Sequence, residues 1–253
     1  MKLHILTLVL NGMPWIAAQW SNIVRCGVDY HWHIVEGAAS NVNCTAWCKR
    51  IEPQYSHDGT SEFLANLQHN SRVTVHRSPM WNGKVAMCNA AMEGIKDQGV
   101  LLQMDSDELW TPYQLKTISH LFPKKETHAF FWCRYFFGPD IVMTTRNCYA
   151  NNPRQEWKRA WKVEPGMKFK SHEPPVMEGE DEAVEHRITE RCDLVFDHYG
   201  YALEKQVAFK EIYYGYTNAV AEWKNLQNNQ VWPAKLCDYL SWVKDPNCLV
   251  SRI

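Results

Sequence analysis

Three carboxylates follow an apolar run in segment 100–110, whose sequence is VLLQMDSDELW. Asp105 and Asp107 are two residues apart, so both side chains leave an extended backbone on the same face, whereas Ser106 points away. Two carboxylates on one face suit a shared Mg²⁺ or Mn²⁺, whose other ligands are commonly substrate phosphates and water. The pair therefore predicts a metal site for a substrate that carries a diphosphate.

The same segment has a second interpretation, as the start of a helix. Thr111 is a favoured N-cap residue, and Pro112 suits the first helical turn. Acidic residues are favourable near a helix start, so a cap would explain Thr111 and Glu108. It would not explain both aspartates, and the motif alone leaves the metal site and the cap open.

Polar residues also follow the other predicted strands. The four groups are Asn11-Gly12, Glu36-Gly37, Asn82-Gly83-Lys84 and the Asp105/Asp107 pair. The carboxyl ends of parallel strands line one crevice, so these groups are expected to meet. Glu36 is placed to bind a ribose or a base, although a salt bridge explains it equally well. Gly83 and Lys84 open a helix and offer N–H groups and a cation to a phosphate.

Two residues of the carboxyl-terminal half are further candidates. His198 follows an apolar strand, and a neutral imidazole facing the aspartates would add a metal ligand; a structural histidine is the alternative. Glu173 precedes two prolines, which hold it in an extended conformation and make it a candidate general base. The residues alone do not rank Glu173 above Glu180 or Asp181.

The elements that position these residues alternate between strand and helix. Strands are predicted at 3–10, 31–35, 72–76 and 100–104, and helices at 14–24, from an N-cap at Thr60, and at 84–95. This alternation predicts an α/β fold with a mostly parallel sheet and right-handed crossovers. Beyond Phe122 the sequence predicts a hairpin of strands 128–137 and 141–149, a strand at 194–196 and one long helix at 203–223. The charged stretch 178–187 is expected to be a solvated, mobile loop.

Composition restricts the class of protein. The 253 residues suffice for one large α/β domain, and a net charge of −1 argues against a basic surface for nucleic acid. Nine cysteines are scattered, and only Cys44 and Cys48 lie close, at a spacing that suits a helical turn rather than a zinc knuckle. They are interpreted as reduced thiols. Twelve tryptophans could supply stacking faces for sugars, although most are expected in the core. Those expected near the crevice are Trp81, Trp110, Trp132, Trp157 and Trp161.

The amino terminus loosely imitates a secretory signal. Its apolar run is short and is interrupted by Asn11-Gly12, and a buried first strand accounts for the same residues. No stretch approaches the ~20 apolar residues of a membrane span. A cytoplasmic protein without a transmembrane segment is therefore expected, with peripheral membrane association left open.

Taken in order, five segments resemble the signature segments of family 2 glycosyltransferases with the GT-A fold. These are LVLNG, the acidic end of the second strand, SHDGTSEFL, NGKVAMCNAA and LLQMDSDELW. The resemblance covers roughly residues 1–112. It resumes at SHEPP and DHYGY, which look like the His-Glu and His-x-Gly-Tyr segments of one bacterial and viral branch. It implies a single GT-A domain, with a nucleotide-sugar-binding half at 1–122, an acceptor and metal half at 123–200, and a helical segment at 201–253.

The resemblance also implies roles for individual residues. Metal contacts would come from Asp107, Asp105 and His198, and Glu173 would deprotonate the acceptor. The nucleotide-sugar contacts would be Leu10, Asn11, Glu36, Asp58, Lys84, Asp105 and Ser106. One departure is the stretch 38–57, which separates the acidic strand end from the Asp-Gly-Thr turn and bears on the role of Asp58.

The expected function is that of an inverting glycosyltransferase that depends on Mn²⁺ or Mg²⁺. It would move a hexosyl or deoxyhexosyl group from a nucleotide sugar to a hydroxyl of a glycan or lipid-linked acceptor. UDP is the commonest nucleotide of the family, but GDP and dTDP stay open, as does the oligomeric state. A sugar-nucleotide pyrophosphorylase is the enzymatic alternative, although NGMPWIA lacks the Gly-rich basic loop it needs. A non-catalytic nucleotide- or sugar-binding module is the other alternative.

Overall fold

A computed structural model describes residues 1–42, 49, 51–122, 124–148 and 157–253. Cys44 and Cys48 lie outside the described residues, as does the end of the strand predicted at 141–149. The fold is α/β, with a mostly parallel central sheet, as predicted. No helix among the described residues is long and apolar enough to cross a membrane.

The strands are β1 (Lys2–Val9), β2 (Tyr30–Ala39), β3 (Val73–Trp81), β4 (Gly99–Gln103), β5 (Glu108–Leu109), β6 (His128–Phe130), β7 (Trp132–Tyr135), β8 (Ile141–Met143), β9 (Lys158–Val163), β10 (Phe169–His172), β11 (Pro175–Met177), β12 (Ala183–Val184), β13 (Val195–His198), β14 (Ala234–Lys235) and β15 (Leu249–Arg252). The helices are α1 (Trp15–Ile23), α2 (Thr60–Leu67), α3 (Lys84–Met92), α4 (Pro112–Ile118), α5 (His186–Arg191), α6 (Glu204–Tyr214) and α7 (Ala219–Gln227).

The central sheet has seven strands in the order β12-β6-β9-β4-β1-β2-β3. Strands β1 to β4 run parallel, whereas β9 is antiparallel to both of its neighbours, β4 and β6. Alternate residues of β1 enter two different cores: Leu3 and Ile5 pack with α1, and Leu6 packs with α3. Burial on both faces explains why these strands read as continuous apolar runs.

Strand β2 is longer than predicted because Gly37 is a bulge and not a strand end. Pairing with β3 shifts register between Glu36 and Ala38 and continues to Ala39 opposite Trp81. Gly37 has φ 130°, and a Cβ there would lie 1.8 Å from the carbonyl oxygen of Ser78. Only glycine allows this close approach of the two strands, and a lone glycine within a strand is a known signal for it.

The carboxyl-terminal half departs most from the predictions. The strand predicted at 128–137 is divided into β6 and β7, which belong to different sheets. The helix predicted at 203–223 is two helices, because Gly215 adopts φ 71° and ends α6. The stretch 178–187 is not a solvated loop: β12 pairs with β6, and Glu180 binds Lys158 and the indole of Trp161.

Three smaller sheets complete the molecule. Strands β10 and β11 form a hairpin, β5-β13-β7 form a mixed sheet, and β14-β15-β8 form an antiparallel sheet. Strands β6, β9 and β12, which follow residue 122 in the sequence, belong to the central sheet. The acidic loop after β4 leads directly into β5, so the mixed sheet positions its side chains.

Candidate active site

A cavity of about 1450 Å³ lies at the carboxyl ends of the parallel strands. The predicted site residues that line it are Leu10, Asn11, Asp58, Lys84, Asp105, Ser106, Asp107, Glu173 and His198. Of the predicted tryptophans, Trp157 lines the cavity, whereas Trp110 and Trp161 are buried in the core. The structure thus brings nearly all of the predicted polar groups to one cavity.

Helix α4 begins at the residues that the capping interpretation predicted. Thr111 is the N-cap of α4, its side chain accepts from Gln114 N, and the Gln114 side chain accepts from Thr111 N. This capping box uses none of the three carboxylates. The acidic residues therefore need another explanation.

Asp107 and His198 form one side of the cavity. Strand β13 runs antiparallel to β5, and the Tyr199 amide donates to the carbonyl oxygen of Asp107 at 2.8 Å. The Asp107 Oδ1 lies 3.4 Å from the His198 Nε2. Burial opposes ionisation of Asp107, but His198 outweighs it and lowers the pKa of that carboxyl. The His198 ring stacks on Tyr135 at a centroid distance of 4.4 Å.

Asp105 is held in a different way, by Arg159 of β9. The Arg159 Nη2 lies 3.0 Å from the Asp105 Oδ2, and the Gln103 Nε2 donates to the Asp105 Oδ1 at 3.3 Å. Burial opposes ionisation of Asp105 too, but the guanidinium lowers the pKa of this carboxyl. Both carboxylate oxygens already have partners. The structure places Asp105, Asp107 and His198 around the same cavity, with Asp107 paired to His198 and Asp105 paired to Arg159.

Glu108 lies beneath the cavity and completes the Arg159 network. The Arg159 Nε donates to the Glu108 Oε1 at 2.9 Å, and Glu108 is fully buried. Burial raises the pKa of Glu108 to about 7, although Arg159 opposes the rise. The Gln19 amide donates to the carbonyl oxygens of Asp105 and Glu108, which fixes the backbone between them.

Glu173 and Lys84 form a second pair of side chains that lines the cavity. Glu173 connects β10 to β11, and its Oε1 lies 2.6 Å from the Lys84 Nζ. Burial disfavours the ammonium, yet the neighbouring carboxylate raises the pKa of Lys84 well above its ordinary value. Lys84 begins α3 after Gly83, where a Cβ would lie 2.1 Å from the carbonyl oxygen of Val42. The predicted phosphate cation is therefore paired with the predicted base.

Asp58 lines the cavity despite the long stretch that precedes it. Its Oδ2 accepts from Met13 N at 2.9 Å, and its Oδ1 accepts from the Thr60 hydroxyl at 2.6 Å. The N-cap of α2 is Gly59 and not Thr60, whose hydroxyl instead accepts from Gly12 N. These bonds attach the Asp-Gly-Thr turn to the end of β1.

Glu36 does not line the cavity, which corrects the expectation that it faces the nucleoside. It is fully buried, and its Oε2 accepts from the Arg77 Nε at 2.7 Å. Its Oε1 accepts from the Ser61 hydroxyl and from Ser56 N. The salt-bridge interpretation of this residue is the one observed, because the strand continues past Gly37 and leaves Glu36 in the interior.

Sequence reasoning missed three cations that line the cavity, which are Arg159, Lys205 and Lys210. Arg159 is one of three basic residues in the strand sequence KRAWKV, and only its placement beside β4 reveals its partners. Lys210 of α6 lines the cavity 4.1 Å from the Tyr201 ring centroid, and its ammonium donates to the carbonyl oxygen of Gly200. Burial lowers the pKa of Lys210, although Asp107 opposes the effect. In the sequence Lys210 belongs to a helix of mixed charged and apolar residues, and no local pattern distinguishes it.

No family model matches the chain, and no curated protein matches it. Among solved structures, residues 1–349 of S. aureus TarS match with 11% identity and a TM-score of 0.43, over 64% of this chain and 47% of that chain. A second TarS structure matches with 11% identity and a TM-score of 0.44, over 64% and 28%. The TarS 1–349 complex with UDP-GlcNAc matches with 12% identity and a TM-score of 0.42, over 64% and 45%. The aligned part thus spans less than half of each TarS chain, and the α/β assignment rests on the strand order described above.

Proposed function

We propose that this protein is a glycosyltransferase that uses a nucleotide sugar. The observation that carries the proposal is the juxtaposition, in one cavity, of the Asp107–His198 pair and the Lys84–Glu173 pair. One pair suits a diphosphate-bound cation, and the other suits proton removal from a hydroxyl. The order of the resembling segments supports the same conclusion.

Asp107 and His198 are the residues that would hold the divalent cation. A carboxylate oxygen and an imidazole nitrogen suit Mn²⁺, and a cavity of this size leaves room for diphosphate oxygens and water. When bound, the cation would neutralise charge on the leaving diphosphate. Asp105 is already engaged by Arg159, so we assign it the role of ordering the loop and the donor and not of binding the cation directly.

Glu173 is the proposed general base. Lys84 holds its Oε1 at 2.6 Å and keeps the carboxylate in place at the cavity wall. The acceptor hydroxyl attacks the anomeric carbon and its proton passes to Glu173, while the bond between that carbon and the diphosphate oxygen breaks. A single displacement from the opposite face inverts the anomeric centre. Positioning and charge stabilisation supply most of the acceleration.

Both the donor and the acceptor would bind in this cavity. We propose a UDP-linked hexose or deoxyhexose as donor and a hydroxyl of a glycan or lipid-linked sugar as acceptor. Aromatic side chains support a sugar acceptor, because their faces suit the apolar faces of sugar rings. Those lining the cavity include Trp15, Trp157, Tyr201, Phe209, Tyr213 and Trp242.

The test is consumption of a panel of UDP-, GDP- and dTDP-sugars with and without EDTA, and with Mn²⁺ restored. Turnover should require the metal and should fall in Asp107→Asn. Asp140→Asn is the matched control, because Asp140 is half-exposed, pairs with Arg252 and does not line the cavity. Equal turnover in Asp107→Asn and the control would contradict the scheme. Binding of UDP by calorimetry without hydrolysis or transfer would favour a binding module instead.

A further inference from the structure

A second group of metal-ligating side chains lies outside the cavity. Cys148, Asp245 and Cys248 each offer one ligand atom, and these atoms lie within 4.8 Å of one another. The two cysteines are buried, at 4% and 0% exposure, and Asp245 is half-buried. None of the three lines the proposed active site. The proposed glycosyl transfer therefore does not account for them.

The fold brings the three residues together through one small sheet. Cys148 follows β8, and Cys248 directly precedes β15, which pairs antiparallel with β8. Two contacts fasten the connection: Leu249 N donates to the Thr145 hydroxyl at 2.7 Å, and Thr144 N donates to Leu249 O at 2.9 Å. The cysteines are 100 residues apart in sequence, so spacing alone could not associate them.

The segment Asp245-Pro-Asn-Cys248 is a tight turn with the ligand spacing of a metal knuckle. Its ligands are three residues apart, as in the Cys-x-x-Cys pairs of structural zinc sites. The Asn247 amide donates to the Asp245 Oδ1 at 2.9 Å, and the Cys248 amide donates to the Asp245 carbonyl oxygen at 3.4 Å. This tight turn presents the carboxylate and the thiol to the same side.

The ligand types of Cys148, Asp245 and Cys248 favour one kind of metal ion. Two thiolates and one carboxylate suit Zn²⁺, whereas Mg²⁺ and Ca²⁺ need oxygen ligands. In a tetrahedral site with Zn–S bonds of about 2.3 Å, two sulfur ligands lie about 3.8 Å apart, which the observed grouping permits.

We propose that Cys148, Asp245 and Cys248 bind a structural Zn²⁺ that fastens the carboxyl-terminal segment to β8. In that segment the structure describes two short strands and one 3-10 turn after α7. The segment nevertheless supplies Trp242, which stacks on Tyr216 at 4.8 Å and lines the cavity. A bound metal can stabilise the position of a segment that has little secondary structure of its own. The site would thereby fix one wall of the proposed active site.

The first test measures zinc on the whole protein, purified without chelator, by mass spectrometry of the metal. Wild type should contain one zinc per chain, and Asp107→Asn should retain it, which separates this site from the proposed catalytic cation. Cys148→Ser and Cys248→Ser should lose it, whereas Cys192→Ser, a half-buried cysteine outside the cluster, should not. Failure of glycosyl transfer would leave this zinc measurement unaffected.

The second test needs no variant and so remains decisive if the serine substitutions fail to fold. Co²⁺ exchanged into wild type should give a sulfur-to-cobalt charge-transfer band. Removal of zinc by a chelator should speed the alkylation of Cys148 and Cys248, mapped by mass spectrometry, and should leave the alkylation rate of Cys192 unchanged. A metal-free wild type, or a Cys148–Cys248 disulfide found under non-reducing conditions, would overturn the proposal. Retention of zinc in both folded serine variants would also overturn it.

Discussion

Two ion-paired carboxylate centres at the cavity differ in burial. Arg159, whose side chain is 5% exposed, pairs with the fully buried Glu108 and also with Asp105, which is 30% exposed at the cavity. Glu173 pairs with Lys84, and both side chains are about one quarter exposed, at 27% and 21%. The Arg159–Glu108 pair is thus part of the protein interior, whereas the Lys84–Glu173 pair belongs to a hairpin at the cavity wall.

The difference in burial indicates which of the two centres can exchange a proton with a substrate. A buried ion pair that loses one partner leaves an uncompensated charge in the core, so its residues are committed to the fold. A partly exposed carboxylate can exchange a proton with a bound hydroxyl at much lower cost. We therefore assign the Arg159 network to positioning and the Lys84–Glu173 pair to catalysis.

The largest expected effect is on activity at the hairpin. Glu173→Gln should lower kcat by about 10²–10⁴-fold, the usual contribution of a general base, with little loss of stability. Glu178→Gln is the matched control, since Glu178 lies in the same region and does not line the cavity. The measurement is initial-rate kinetics with urea unfolding of both variants. Equal kcat for the two variants would remove Glu173 from the mechanism.

The buried centre should respond in stability. Arg159→Met should lower the free energy of unfolding by about 3–5 kcal/mol, because Glu108 loses its cation in the core. Arg134→Met is the control: Arg134 pairs with Asp197 on an exposed strand face, and its loss should cost about 1 kcal/mol or less. Chemical denaturation measures both. Similar losses for the two variants would erase the contrast between the centres.

Lys84 should matter less than the residue it holds. Lys84→Met should lower kcat/KM by about 10-fold, since a hydrogen bond to a charged group contributes about 1.5 kcal/mol. Lys125→Met, at an exposed pair with Glu182, should leave the rate unchanged. A loss as large as that of Glu173→Gln would instead place Lys84 on the leaving diphosphate.

A histidine cluster in the sheet offers a pH test independent of the cavity. His4 and His33 are buried, with 3.3 Å between Nδ1 of His4 and Nε2 of His33. Burial lowers the pKa of His4 to about 4 and that of His33 to about 2. The unfolded chain binds these protons first, so stability is lost as pH falls below about 6.5.

From its own shift, His4 should contribute a loss of about 2 kcal/mol between pH 6.5 and pH 5. Denaturation at several pH values should show a shallower pH dependence in His4→Gln. His120→Gln, at an exposed position, should keep the wild-type dependence. If His4→Gln also keeps the wild-type pH dependence, the loss of stability in acid originates in other groups, and the Arg159 network becomes the next candidate.

The sequence by itself determined the strands and turns that carry the residues of the candidate site. Continuous apolar runs predicted strands β1 to β4, and glycine and proline predicted the turns. Polar residues at the strand ends indicated Asp107, Lys84 and His198, which line the cavity. These are local signals, because strand burial, helix caps and turn geometry depend on near neighbours in the chain. They sufficed to predict the α/β class and nine of the residues that line the cavity.

Only the tertiary structure decided which charges meet. Arg159 reaches Asp105 and Glu108 because β9 inserts antiparallel beside β4, a pairing that no local pattern encodes. Glu36 turned inward because a bulge at Gly37 extends its strand, and Glu180 became ordered through Lys158. An ion pair depends on two strands distant in sequence, so its formation follows from the packing of the whole sheet and not from either segment alone.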